Sequence, residues 1–265
     1  MSTTARYKGL LALLLALVLV LAVAACGDDD ESESTEGETS STAIEENPDN
    51  SGIALTIGSK NFTEQIILGE IYAQALEAAG YDISTDLNLG DEQVALEALK
   101  AGEISAYPEY TSTALTSFFG YAPEDVPSDA QAAYEESQGD FEQEGLVSHP
   151  PTPFSSANAV GLLTETAEEL GVSSISDLEG SSQDLALYGS PECRQRIDCL
   201  VGLEDNYGLE FKSFTPVDIG LRYEVLDKGQ ADLSILFTTD AQLFVSDDYT
   251  ILEDDQGVLP AGNVM

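Results

Sequence analysis

The sequence predicts an α/β protein built as two lobes, and two observations carry that expectation. The first is alternation. Ala54-Leu55-Thr56-Ile57 reads as a short strand and Gly58 as the turn after it. A helix follows, with Asn61 as its cap and Glu64 three residues on; Ile67, Leu68, Ile71, Tyr72 and Leu76 recur at helical spacing until Gly80 stops it. A second helix runs from about Asp91 to Ala101 and ends at Gly102. Strand then helix, repeated, points to an α/β architecture. The second observation is internal similarity. Leu99-Lys100-Ala101-Gly102 and Leu226-Asp227-Lys228-Gly229 end two helices alike, and each leads into a short strand, Ile104–Tyr107 or Ala231–Leu236. At the same distance past each glycine stand Tyr110-Thr111 and Phe237-Thr238. Ligands of open α/β sheets bind at the carboxyl ends of strands, so facing lobes would set both rings on one guest. Two unrelated Leu-x-x-Gly helix ends are the alternative.

The N-terminus has a different character. Arg6 and Lys8 precede a wholly apolar run, Leu10–Val23, which ends in Val23-Ala24-Ala25-Cys26 and then Gly27-Asp28-Asp29-Asp30. The run is short for a membrane span, which needs about 20 apolar residues, and suits a signal peptide over 1–25. Small residues before a Cys resemble the lipobox of bacterial lipoproteins, in which Cys26 would be diacylated and become the mature N-terminus; two acyl chains anchor stably where one does not. An uncleaved anchor helix is the alternative. Either way the globular part lies outside the cytoplasm, at the outer face of the cell membrane or in a periplasm. Residues 26–52 are Asp, Glu, Ser, Thr and Gly with almost nothing apolar, and are expected to be a disordered acidic tether.

Charge and composition exclude several classes. The chain of 265 residues carries 49 acidic and 9 basic residues, a formal charge of −40 that opposes binding to nucleic acid. With Cys26 assigned to lipid, Cys193 and Cys199 form an even pair in an oxidising compartment and are expected to be a local disulfide. Two Cys and the single His149 are too few and badly spaced for a metal site. His149 is followed by Pro150, Pro151 and Pro153 in what reads as an exposed connector, and no Gly-x-Ser-x-Gly elbow or Walker loop is present. The chain therefore offers no apparatus for catalysis and no cofactor site.

Binding fares better. Gly58-Ser59-Lys60-Asn61 lies between strand and helix, where backbone N–H groups, the helix end and the Lys60 charge could hold an anionic group. Tyr110 and Phe237 offer π-faces to a cation. Arg194 and Arg196 could grip a carboxylate bidentately; a salt bridge to Glu192 or Asp198 is the alternative.

Three segments then carry a resemblance over residues 53–265: Ile57-Gly58-Ser59-Lys60-Asn61-Phe62-Thr63-Glu64-Gln65, Tyr107-Pro108-Glu109-Tyr110-Thr111-Ser112-Thr113-Ala114-Leu115, and Phe237-Thr238-Thr239-Asp240. They are similar to the signatures of the quaternary-amine substrate-binding proteins, which serve ABC importers for glycine betaine, proline betaine, choline and related osmoprotectants. The resemblance implies a two-lobed periplasmic-binding-protein fold of the second type. Its lobe 1 spans 53–155, lobe 2 spans 156–240 and a return toward lobe 1 spans 241–265, with crossings near Pro153–Asn158 and Phe237–Asp240. It implies a monomer that captures a small zwitterionic or cationic solute and docks on permease subunits in the membrane. Matched residue by residue, Lys60, Thr113 and Arg196 would hold the ligand carboxylate and Tyr110 would form one wall of an aromatic cage. The chain departs from the family's pattern where Asn158 and Phe237 stand at tyrosine positions, Ser156 at an aspartate, and no aromatic lies around Ala261-Gly262. A more polar, amino-acid-like amine would suit Asn158, and a degenerate non-binding homologue is the remaining alternative. Family members continue beyond the point matching Met265, so lobe 1 is expected to be incomplete at the C-terminus.

Overall fold

The computed structural model describes residues 43–265; the expected signal peptide, Cys26 and most of the expected tether lie outside the described residues. Order begins earlier than the composition of the tether implies. Pro48–Asn50 forms a 3-10 turn capped by the Asn47 side chain, and Asn47 N–H and the Asn50 amide both donate to the Ala79 carbonyl at the end of the first helix. Proline at the first turn position and two Asn side chains supply local bonds that a run of Asp and Glu would not.

The first lobe starts with β1 (Ala54–Gly58), α1 (Thr63–Ala78) and β2 (Asp82–Asp86), a parallel βαβ unit. Helix α2 (Glu92–Ala101) is capped by Asp91, whose Oδ1 accepts from Gln93 and Val94 N–H, and it ends on Gly102 at φ +73°, a conformation that favours glycine. The expected strand Ile104–Tyr107 is reduced to one parallel bridge, Ile57 to Ala106, because Pro108 has no N–H to extend the ladder. Helix α1 corrects a second expectation. Its cap is Phe62, extended and without a side-chain bond, while Asn61 stands one residue before the cap and gives its N–H to the Gly90 carbonyl. A short α-turn α3 (Thr111–Thr113) widens into a π-helical turn (Ala114–Phe118), and α4 (Ala130–Gln143) packs beside it.

The chain enters the second lobe through β3 (Ser155–Ser156). There a five-stranded sheet has the order β6-β5-β7-β4-β8, formed by β4 (Asn158–Leu163), β5 (Ala186–Gly189), β6 (Ser213–Pro216), β7 (Leu233–Phe237) and β8 (Tyr249–Ile251). Strands β5, β6 and β7 run parallel; β4 lies antiparallel to both β7 and β8. Helices α5 (Thr164–Leu170), α6 (Leu200–Asp205), α7 (Arg222–Asp227) and α8 (Gln242–Val245) complete the lobe. Val160, Leu162, Leu187, Leu233 and Ile235 from the sheet bury against Ile175, Leu178 and Leu203, the largest core of the described residues.

The second crossing does not fall at Phe237–Asp240. After β7 the chain stays with the second sheet, because β8 pairs with the outer edge of β4, and it returns only at β9 (Gly262–Asn263), antiparallel to β3. Val264 and Met265 then pair with Tyr110 and Glu109 in the first lobe. Gly262 is required here: a Cβ would stand 2.4 Å from Ser112 Oγ and 2.7 Å from its backbone nitrogen. The bottom of the cleft is therefore two close-packed strands of opposite direction with Ser112 against them.

Candidate functional site

A single cleft between the lobes is lined by all seven residues that the sequence offers as ligand contacts: Lys60, Asn61, Tyr110 and Thr113 from the first lobe, Asn158, Arg196 and Phe237 from the second. The internal similarity is thus realised in space, since both aromatics past the paired glycines reach the same cavity. Phe62, Glu92 and Asp198 line it too. Phe62 lies inside the first motif, but one residue past the expected cap at Asn61 an aromatic reads as local helix packing. Glu92 was hidden by the abundance of carboxylates.

In the first lobe the turn after β1 delivers Lys60 into the interior, where it forms an ion pair with Glu109, each side chain only 5% exposed. Lys60 Nζ also lies 4.8 Å from the centre of the Tyr110 ring and 5.8 Å from that of Phe62. Glu109 Oε1 accepts from Tyr110 N–H at 2.7 Å, and its Oε2 accepts from the Tyr107 hydroxyl at 3.1 Å. The Tyr110 hydroxyl donates to Glu64, and burial together with that carboxylate pushes its ionisation far above the ordinary tyrosine range. Tyr110 is therefore a neutral, fixed wall. Three donors of the turn are already engaged: Gly58 N–H donates to the Ala106 carbonyl, Lys60 N–H to Gln65 Oε1, and Asn61 N–H to the Gly90 carbonyl.

In the second lobe the Cys193–Cys199 disulfide is formed, and it closes the loop that carries Arg196. Arg196 donates from Nε to Asp198 Oδ1 at 2.8 Å and from Nη2 to Oδ2 at 2.5 Å, and its Nη1 lies 3.3 Å from Glu92 Oε2 of the first lobe. The salt-bridge alternative for Arg196 is the one adopted, with Asp198 as partner. Arg194 points elsewhere, exposed, its Nη2 donating to the Phe214 carbonyl and its guanidinium over that ring. Burial alone would lower the Arg196 ionisation, but Asp198 and then Glu92 hold it above its ordinary value. Asp198 sits below the usual carboxylate range because Arg196 and Thr116 outweigh its burial. Glu92 sits above that range, since its desolvation exceeds the attraction of Arg196 and Lys60.

Asn158 opens β4 and donates from Nδ2 to the Asp198 carbonyl at 2.8 Å. Phe237 closes β7; its N–H donates to Asp240 Oδ2 at 2.9 Å, and the Arg222 guanidinium lies 4.0 Å from the ring centre on a salt bridge to Asp240. Three contacts span the cleft. They are Arg196 to Glu92, Thr116 Oγ1 donating to Asp198 Oδ2 at 3.1 Å, and Phe62 against Phe237 at 4.9 Å between ring centres.

Two antiparallel crossings, a mixed second sheet and a cleft at strand ends define a type II periplasmic-binding-protein fold. A solved structure described as a glycine betaine/carnitine/choline ABC transporter matches it with a TM-score of 0.60 at 24% identity, covering 79% of this chain and 78% of that one. Residues 53–265 match the family model for the substrate binding domain of ABC-type glycine betaine transport systems, and the chain belongs to that family. It is a solute-binding component of an ABC importer, working outside the cytoplasm, and not an enzyme. A glycine-betaine-binding protein of Pseudomonas aeruginosa is 36% identical over 222 residues, which cover 79% of this chain and 69% of that protein. The ergothioneine transport permease/ergothioneine binding protein EgtU of Helicobacter pylori is 29% identical over 82% of this chain, which spans 38% of that longer protein.

Proposed function

We propose that this chain captures a quaternary amine between its lobes and hands it to a membrane permease, held at the outer face of the membrane by lipid on Cys26. The observation that carries the reading is the meeting of Tyr110, Phe62 and Phe237, contributed by both lobes, around one cleft. A ligand that touches both lobes at once favours the closed arrangement by its differential contacts, which is the whole mechanism: hinge closure, with no bond made or broken. Thr113, Asn158 and Ser156 line the same cleft as polar partners for the rest of the ligand. Names of related proteins, glycine betaine and ergothioneine binders among them, agree with an amine carrying several N-methyl groups.

The test is a panel of glycine betaine, choline, carnitine, ergothioneine and amino acids, read by thermal shift and calorimetry on the full chain. Saturable binding of an N-methylated amine, weakened by Phe237→Ala, is the expected result. Binding of amino acids alone, or of nothing in the panel, removes the reading. Anchoring is tested separately by palmitate labelling, which Cys26→Ser should abolish.

A further inference from the structure

We infer that the cleft selects a net cation, an N-methylated ammonium without a carboxylate, over the corresponding zwitterion; this rests on the binding reading above. A ligand carboxylate would have to be held by Lys60, Thr113, Arg196 or the turn at Lys60. Both charged groups among them, Lys60 and Arg196, have a protein partner already, which leaves the Thr113 hydroxyl as the neutral donor. Lys60 is spent on Glu109 inside the first lobe, and Arg196 offers its Nε and Nη2 to Asp198 and its Nη1 to Glu92. Three backbone donors of the turn, the N–H groups of Gly58, Lys60 and Asn61, are engaged as well. A ligand carboxylate reaching Arg196 would have to pull it from Asp198 and Glu92, which are 3% and 5% exposed, and leave them buried and unpaired. Losing a buried charge partner costs far more than a new pair of the same kind returns.

What is left over is negative. Lys60 and Arg196 are the two cations on the cleft, against the carboxylates of Asp91, Glu92, Glu192 and Asp198, with Glu109 behind Lys60. Arg222, behind Phe237, is matched by Asp240. Each cation thus has its own carboxylate, and the surplus faces the guest. The aromatic faces do not decide the matter, because Lys60 and Arg222 already share them. The charge balance does. Complementary potential across an interface chiefly sets which partner is accepted.

Calorimetry of the full chain with choline and with glycine betaine tests this, since the two share a trimethylammonium group and differ in the carboxylate. Choline should bind tighter by about tenfold or more. Glu92→Gln should narrow that ratio by weakening choline, and Glu192→Gln, on a half-exposed turn where folding is not at stake, should narrow it less. Glycine betaine binding as well as choline or better overturns the charge selection and leaves the amine-binding reading intact. Equal loss of both ligands in Glu92→Gln overturns it as well. No binding of any N-methylated amine overturns both.

Discussion

Tyr110 and Phe237 hold equivalent places in the two lobes, and each is fixed by the same three-part device. A carboxylate one to three residues along accepts the ring residue's own N–H: Glu109 for Tyr110, Asp240 for Phe237. That carboxylate also pairs with a buried cation, Lys60 or Arg222, and the cation lies over the ring. The devices differ in closure. In the first lobe both charges are 5% exposed and the ring is tied a second time through its hydroxyl to Glu64. In the second lobe the ring has no hydroxyl and the Asp240 side chain is 15% exposed. One wall is tied twice inside the core; the other is held by its backbone N–H and by contacts on its ring face alone. Changes in the first lobe should therefore register as stability, and changes in the second as affinity.

The sharpest way to break that contrast is to break the pairs. Lys60→Ala cannot serve as a simple binding mutant, because it strands Glu109 in the interior. We expect Lys60→Met or Glu109→Gln to cost about 3–5 kcal/mol of unfolding free energy in urea melts. The double variant Lys60→Met with Glu109→Leu should recover most of it, since two apolar groups replace two charges. Asp240→Asn, in the more open device, should cost about 1–3 kcal/mol. Equal losses in the two lobes would erase the distinction.

Next comes the converse. Phe237→Ala should weaken ligand binding by about 2 kcal/mol, roughly thirtyfold, with a smaller change in melting temperature. Tyr110→Phe keeps the π-face and removes only the bond to Glu64, so affinity should hold while stability falls by about 1 kcal/mol. Calorimetry and thermal denaturation on the same preparations separate the two effects. The disulfide allows a third comparison within the second lobe. Replacing both Cys193 and Cys199 by Ser opens a short loop and should cost about 2 kcal/mol of stability or less. Because Arg196 rides on that loop, affinity should fall alongside it.

Much of this was legible in residues and spacing. The turn at Gly58, the start of the second helix near Asp91, the Gly102 stop and the disulfide all rest on local chemistry, which a sequence states directly. The pairing of Tyr110 with Phe237 was legible from the spacing past Gly102 and Gly229. What escaped was long-range. That Lys60 meets Glu109, or that Arg196 meets Glu92 across the cleft, depends on side chains 49 and 104 positions apart in a chain where any carboxylate looks like any other. The position of the second crossing escaped for a related reason: only the pairing of β8 with the free edge of β4 keeps Tyr249–Ile251 in the second lobe.

The smallest expected effect is one of pH, and it sets Glu92 against Asp198 across the cleft. The charged groups facing Glu92 are Arg196 and Asp198 from the second lobe, Lys60 and Glu109 from the first, and Asp91 beside it. Burial raises Glu92 above the ordinary carboxylate range, whereas Arg196 holds Asp198 below it. The two thus contribute to stability with opposite signs. The Glu92 contribution is present below its unfolded value and lost as pH rises through the folded one. That of Asp198 is present above its unfolded value and lost as pH falls through the folded one. As pH falls, Glu92 takes up a proton first while Asp198 keeps its charge. A bound cation favours ionised Glu92, so choline affinity should decline through that titration by about fivefold, the effect of one charge acting through a partly solvated cleft. Glu92→Gln should flatten the decline. If the variant keeps the full pH dependence, the titrating group is not Glu92, and the ion pair between Arg196 and Glu92 does not control the charge that the guest meets.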